Sequence, residues 1–271
     1  MNAQTIRKQP RLTLRLTSGG LSFSVVDPTT EEQINYEPYI MKSGISQAAN
    51  LRAALSTAVL PGDDYQNALV VTDSPVLLVP IDEYNKDEQA ELYHHSFPVE
   101  AGEIAPVVES SVIPQLNVVA LFAINRDVKT VTEDHFRDVR YSHVCLPVWK
   151  HLYHRSFTGQ RQKLYGYFFD GKVCCFSFNQ NRMRFVNTFN VNNASNAAYY
   201  ILNVWKQLTM DQQRDELHLV GMMPEADQLI EGLKKFLQNV YVINPTAEFN
   251  RAPITQVNGI PYDIITMYVK S

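Results

Sequence analysis

Two histidine pairs are the side chains in this sequence whose spacing first suggests chemistry. His94 and His95 are adjacent, and His151 and His154 are three residues apart, so on a helix the second pair shares one face. Neither pair has a cysteine or an acid close in sequence that would complete a metal set. A surface position on an aromatic-rich helix is the simpler interpretation, and we predict no metal site.

The three cysteines also lack the spacing of a redox or zinc motif. Cys174 and Cys175 are neighbours in a strand-like run, so their side chains are expected on opposite faces, and Cys145 stands apart. Buried thiols in a reducing compartment explain them best. No GxSxG, HExxH or P-loop string occurs, and we predict no catalytic residues.

The composition is that of a globular protein with a mildly acidic charge. The 271 residues suffice for two medium-sized lobes, and 45% are hydrophobic while 19% are charged. Lysine and arginine total 24 against 28 acids, and the net charge of −4 argues against nucleic acid as a partner. A small basic patch at Arg7, Lys8, Arg11 and Arg15 has a solvated tail as its alternative explanation.

Neither export nor membrane insertion is predicted. The first ten residues, MNAQTIRKQP, hold no apolar signal region, and no run approaches the roughly 18 apolar residues of a membrane helix. We therefore expect a cytoplasmic protein.

Hydrophobic periodicity predicts the elements of the first half. Leu12, Leu14 and Leu16 alternate with polar residues, which indicates a half-buried strand. The Ser18-Gly19-Gly20 turn leads back into a second strand, and a loop at 27–33 leads to a third strand at 34–41. A helix at 48–58, strands at 69–72 and 76–79, and a helix at 85–98 follow.

The second half predicts the same order of elements. A strand at 164–169, the hairpin signal Asp170-Gly171 and returning strands at 173–178 and 183–189 come first. A helix at 198–208, a strand at 217–220, a helix at 226–237 and a strand at 240–243 follow. A final strand is predicted at 262–269.

The order of elements thus occurs twice, which predicts two similar lobes. We expect the first lobe at 1–157, with an inserted strand-helix subdomain at about 100–155, and the second lobe at 158–271. The linker between them is predicted at 157–161.

This repeated order resembles the actin-like ATPase superfold, a relative of the ribonuclease H fold. Residues 117–155 look like the inserted subdomain of the actin-like pilus-assembly and secretion-platform proteins, and residues 217–245 look like their adenosine-side element. The chain also resembles a bacterial family of unknown function that shares this fold. The resemblance implies a duplicated α/β fold of two lobes, each with a mixed sheet and flanking helices.

The resemblance also implies where a nucleotide would bind. In actin-like proteins ATP lies between the lobes, and one hairpin turn from each lobe offers backbone N–H groups to the phosphates. An aspartate on the first strand of each lobe holds Mg²⁺ through water. The matching turn positions, and thus the candidate cofactor-binding residues, are Gly19, Gly20, Asp170, Gly171 and, on the adenosine side, Gly221.

The sequence departs from that pattern at each of these places. Arg15 stands where the first lobe's aspartate is expected, and a guanidinium cannot bind Mg²⁺. Asp170-Gly171 is what a two-residue turn needs for its own geometry, and Met222 replaces the second glycine after Gly221. We predict no cofactor, although ATP bound without hydrolysis stays possible on the sequence alone.

Three functions follow from these observations, in order of preference. The first is a non-catalytic pseudo-ATPase that serves as a scaffold or protein-interaction module with protein partners. The second is a divergent nucleotide-dependent enzyme, an ATPase or small-molecule kinase, that uses the interlobe cleft with an acid such as Asp73, Asp82 or Asp170. The third is nucleic-acid binding through the basic segments 161–163 and 182–184.

Overall fold

The computed structural model describes residues 10–26, 34–62, 65–157, 161–180 and 182–269. The predicted loop at 27–33, the basic residues Arg7 and Lys8, and the central part of the predicted linker lie outside these ranges.

Five strands form the sheet of the first lobe, in the order β3-β2-β1-β4-β8. The first three are antiparallel neighbours, whereas β4 is parallel to β1 and β8 is parallel to β4. The sheet is therefore mixed. Its members are β1 (Arg11–Leu16), β2 (Leu21–Val26), β3 (Ile34–Tyr39), β4 (Asn67–Thr72) and β8 (Asp138–His143).

The second lobe repeats this sheet in the order β11-β10-β9-β12-β13. Its antiparallel and parallel neighbours follow the same pattern, which confirms the predicted duplication of a mixed sheet. Its members are β9 (Lys163–Phe169), β10 (Lys172–Asn179), β11 (Arg182–Asn190), β12 (Glu216–Gly221) and β13 (Asn239–Val242).

Four helices complete the two equivalent halves. They are α1 (Gln47–Thr57) and α3 (Arg126–His135) in the first lobe, and α5 (Ala194–Gln207) and α6 (Ala226–Lys234) in the second. The equivalent of α6 and β13 in the first lobe is thus α3 and β8. The predicted helix at 85–98 and the predicted strand at 76–79 therefore do not belong to the repeated order of elements.

A third, three-stranded sheet interrupts the first lobe between β4 and α3. It has the order β5-β7-β6, all antiparallel, with α2 (Gln89–Ser96) beside it. The strands are β5 (Val76–Pro80), β6 (Val107–Ile113) and β7 (Val118–Ile124). The strand β6 was not predicted, because the polar residues at 109–111 interrupt its apolar pattern. The domain boundaries given above stay predictions.

The strands β9 and β10 are buried on both faces and serve two cores. Leu164 and Phe168 pack with α5 and α6, whereas Tyr165, Tyr167 and Phe169 belong to the core that also contains β1 and β2 of the first lobe. The helix α4 (Cys145–Ser156) lies in this shared core. One continuous apolar core therefore joins the two lobes.

The C-terminal segment corrects two predictions from the sequence. Residues 262–269, predicted as a strand because of their β-branched residues, form the helix α8 (Tyr262–Tyr268), which packs against α4 and β1. The polar face of β1, predicted to be half exposed, is consequently buried as well: the Tyr268 hydroxyl donates to Thr13 Oγ1 at 2.7 Å. A short helix, α7 (Pro245–Glu248), precedes α8.

Candidate functional site: the interlobe cleft

The turns of two equivalent hairpins meet between the lobes. Hairpin one is the turn Thr17–Gly20 between β1 and β2, and hairpin two is the turn Asp170-Gly171 between β9 and β10. Asp170 and Gly171 have φ of 46° and 71°, which are the positive values of a type I′ turn and confirm the predicted hairpin.

The tips of the two hairpins are in direct contact. A Cβ atom placed on Gly19 would lie 2.6 Å from Cβ of Asp170, whereas the same atom on Gly20 would meet nothing within 4 Å. Gly19 is therefore required by the close approach of hairpin two. The space in which the resemblance would place a phosphate is filled by the chain itself.

Arg15 is the cation at the base of this contact. Its Nε donates to Asp263 Oδ2 at 2.8 Å, and its Nη2 forms an ion pair with Asp170 Oδ2 at 2.8 Å. Only 5% of the Arg15 side chain is exposed, and Asp263 is fully buried. Burial would lower the pKa of Arg15, but the negative charges of Asp263 and Asp170 and the hydrogen bond to Asp263 together raise the pKa, so the guanidinium stays charged.

Asp263 joins α8 to both lobes. One carboxylate oxygen accepts from Arg15 in β1, and the other accepts from the Tyr167 hydroxyl of β9 at 2.6 Å. Burial and the charge of Asp263 raise the pKa of Tyr167, so the phenol remains a donor. The sequence held no local signal for this role, since Asp263 lies in a segment predicted as a strand.

Asp73 is the anion on the opposite side of hairpin one. It accepts hydrogen bonds from the backbone N–H of Ser18 at 3.1 and 3.2 Å, from Ser18 Oγ at 2.7 Å, and from Lys172 Nζ at 2.7 Å. Burial raises the pKa of Asp73, but the bonds from Lys172 and Ser18 outweigh this and lower it. The Asp73 carboxylate thus accepts the hydrogen bond from the Ser18 N–H that a bound anion would otherwise accept.

Gly221 has a structural role on the predicted adenosine side. Its φ is 96°, and an added Cβ would lie 2.0 Å from the carbonyl oxygen of Phe168. The following N–H, of Met222, donates to that same oxygen at 3.1 Å. This glycine is needed for the close approach of β12 to β9, and the Met222 side chain is exposed beside it.

The cleft therefore contains charges that pair with one another, with one carboxylate in excess. The two cations, Arg15 and Lys172, face the three carboxylates of Asp73, Asp170 and Asp263. Four predicted residues, Gly19, Gly20, Asp170 and Gly171, do lie on the two hairpins, and Gly221 lies next to the end of β9. Within the described ranges, no group of three or more His, Cys, Asp or Glu side chains could hold a metal ion.

A second buried carboxylate, Glu248 of α7, joins the C-terminal segment to α4. It accepts from Tyr262 at 2.8 Å, binds His151 Nε2 at 2.9 Å and pairs with Arg155. The bonds from these three groups lower the pKa of Glu248 against the opposing effect of burial. His151, weighed above as a metal ligand, is thus a structural partner.

The basic segments considered for nucleic-acid binding are engaged in the fold. Arg161 lies 3.6 Å from Glu216, and Lys163 is buried with its Nζ donating to the carbonyl of Arg155. Arg184 donates to the carbonyl of Leu208 and to the Gln162 side chain. In the part of the chain that is described, no helix is long and apolar enough to cross a membrane.

Fold and cleft together define a class: a two-lobed protein of the actin-like ATPase fold whose interlobe site is closed by its own ion pairs. The chain belongs to the family described as "Protein of unknown function (DUF3822)", which it matches over residues 1–240. No curated protein matches the chain.

Solved structures confirm the fold predicted from the resemblance. A Bacteroides thetaiotaomicron protein, described as having an actin-like ATPase fold and unknown function, is similar with a TM-score of 0.82 and 24% identity over 100% of both chains. The PilM-PilN type IV pilus biogenesis complex is similar with a TM-score of 0.59 and 11% identity, covering 97% of each chain. At these identities the likeness concerns the fold.

Proposed function

We propose that this protein is a non-catalytic member of the actin-like fold that acts as a protein-interaction module or scaffold. The observation that carries this proposal is the filled cleft. Asp73, Asp170 and Asp263 bind the two cations that face the hairpins, and the hairpin tips touch each other. ATP with Mg²⁺ would have to break these ion pairs before it could enter.

The enzyme alternative lacks a free acid in the cleft. Asp73 and Asp170 are held by Lys172 and Arg15, and Asp82 is exposed on the turn that follows β5. Arg15 at the position of the Mg²⁺-binding aspartate opposes a cation electrostatically. The geometry therefore favours a role in protein interaction over a role in phosphoryl transfer.

Protein partners are the finer part of the proposal. The similar PilM fold is found in a PilM-PilN complex, which supports a role in binding other proteins. Three free, buried cysteines and the bacterial source of a similar structure support a bacterial cytoplasmic setting.

Calorimetric titration with ATP and Mg²⁺, checked by thermal shift, tests whether the interlobe cleft binds nucleotide. We expect no heat of binding and no rise in melting temperature at about 5 mM nucleotide. A ligand with a dissociation constant of 50 µM would, at that concentration, stabilise the protein by about 2.7 kcal/mol, which the assay detects readily. Binding tighter than about 1 mM would contradict the proposal.

Turnover separates the two function classes further. Phosphate release from ATP should remain at the level of a heat-inactivated sample. If release were above it and were lost in Asp73→Asn or Asp170→Asn, the enzyme interpretation would replace ours. The interaction role is tested by reconstituting a complex from purified components after co-purification; a chain that forms none contradicts that role.

A further inference from the structure

A cavity of about 340 Å³ lies between the lobes, next to the Asp73–Lys172 pair. Ser74 and Trp149 of the first lobe and Phe169 and the strand β11 of the second lobe line it. Small-molecule sites have volumes of about 300–1,000 Å³, so the cavity has room for one compact ligand. Asp73 and Lys172 belong to its lining, whereas the hairpin residues Gly19, Gly20, Asp170 and Gly171 do not.

One wall of the cavity is polar and has unused hydrogen-bonding capacity. The strand β11 contributes the exposed side chains of Asn187 and Asn190. Asn187 Oδ1 accepts from the N–H of Thr188 at 2.8 Å, which leaves its amide N–H groups free among the described residues. The Asn190 side chain forms no hydrogen bond with any described part of the chain.

The other wall is aromatic and holds a buried donor. Phe97, Trp149 and Phe169 line it, and Trp149 is only 1% exposed. The indole N–H of Trp149 lies beside the Cys174 sulfur, which is a weak acceptor, and has no oxygen or nitrogen acceptor within the described ranges. This N–H has no exposed surface, so it lies within the core beside Cys174 and takes no part in ligand binding.

The cavity has no uncompensated charge. Lys172 and Asp73 neutralise each other at 2.7 Å. His143 is the remaining titratable residue in the lining, and burial lowers its pKa to about 4, so it is neutral at pH 7. Its Nε2–H donates to the Ser74 carbonyl at 2.8 Å, and its Nδ1 accepts from the N–H of Cys145. A charged ligand would lose its hydration here without gaining a counter-charge.

We infer that this cavity binds a small neutral molecule with several hydroxyl groups, such as a monosaccharide. The apolar C–H face of the ligand packs on Phe97, the half-buried ring of the aromatic wall, and its hydroxyls bond to Asn187 and Asn190. This combination of an apolar wall with a few convergent polar groups is what fixes a small ligand in a pocket. The site is separate from the proposed interaction role and does not require nucleotide.

Thermal shift and calorimetry with a defined set of probes test this inference. The neutral probes are glucose, ribose, myo-inositol and glycerol, and the charged ones are glucose 6-phosphate and gluconate. At a concentration ten times the dissociation constant, a neutral probe should raise the melting temperature by about 3 °C, and the charged analogue should give a smaller shift.

Two variants locate the effect. The double variant Asn187→Ala, Asn190→Ala should weaken binding at least tenfold, because it removes the side chains that bond to the ligand hydroxyls. Both residues are exposed, so the fold should stay intact. Phe97→Leu keeps an apolar side chain and removes the ring, and a smaller loss is expected. Asn203→Ala, exposed on α5 away from the cavity, is the matched control and should bind as the parent does.

Three outcomes would overturn the inference. They are the absence of any shift with all neutral probes at 50 mM, tighter binding of the charged analogues, and unchanged binding by the double asparagine variant. Circular dichroism and the melting temperature without ligand show that each variant is folded before binding is measured.

Discussion

The two hairpins occupy equivalent places in two sheets of the same strand order, yet they carry different charges. Hairpin one follows a strand with a cation, Arg15, and offers its N–H groups to the Asp73 carboxylate. Hairpin two carries one charge of each sign, Asp170 and Lys172, on either side of its glycine. Each side chain of hairpin two thus finds an opposite charge in the first lobe.

Because of this difference in charge, the two halves of a duplicated fold can close the cleft between them. Two identical hairpins would repel each other or share an external counter-ion, whereas complementary ones bind each other. The C-terminal segment reinforces the contact, since Asp263 reaches Arg15 from α8. The predictions below alter one side of the contact at a time.

Removal of Asp263 should have the largest effect. Asp263→Ala removes the buried acceptor of Arg15 Nε and of the Tyr167 hydroxyl and leaves Arg15 with Asp170 as its remaining carboxylate partner, and we expect a loss of about 3–5 kcal/mol in the free energy of unfolding. Urea denaturation measures it. Asp138→Ala, which removes an exposed partner of Arg11, is the control and should change little. Equal stability of the two variants would show that α8 does not hold the lobes.

Acid should weaken the first-lobe side of the contact through His143. Its folded-state pKa of about 4 lies below the unfolded value of 6.5, so the unfolded chain binds the proton first. The stability from this residue is complete above pH 6.5 and falls as pH drops toward 4, by about 3 kcal/mol in total.

The measurement is specific to the ring of His143. Its NMR signals should stay constant from pH 7.5 to 5, while urea unfolding at the same pH values reports the loss of stability. A titration midpoint near 6.5 would contradict the buried, neutral state and its bond to the Ser74 carbonyl.

Neutralising the two carboxylates that face the hairpins should give unequal losses. Asp73→Ala removes the acceptor of Ser18 and Lys172, and we expect a loss of about 1–3 kcal/mol. Asp170→Asn keeps the turn geometry and leaves Arg15 paired with Asp263, so it should cost about 1 kcal/mol or less. The reverse order in chemical denaturation would mean that hairpin two carries the contact.

The last prediction concerns the glycines of hairpin one. Gly19→Ala forces a methyl group against Asp170 and should destabilise the protein by about 1–2 kcal/mol. Gly20→Ala meets nothing within 4 Å and is the matched control, with an expected change below about 0.5 kcal/mol. If thermal unfolding showed no difference between the two, the hairpins would not be in contact.

Most elements of the two equivalent sheets, and their duplication, were predictable from local patterns in the sequence. Alternating leucines defined β1, and the Asp170-Gly171 pair defined hairpin two. These features depend on neighbours a few residues apart, so local pattern contains them. The replacement of the expected aspartate by Arg15 followed from the resemblance to actin-like proteins together with the register of β1.

The role of Arg15 in joining α8 to β1 depends on tertiary contacts and was not predictable from the sequence. Its partner Asp263 lies 248 residues away, and Lys172 finds Asp73 across 99 residues. The β-branched residues at 262–269 favour a strand, but burial between α4 and β1 selected a helix. Pairing of buried charges depends on which surfaces pack together, and periodicity along the chain does not encode that.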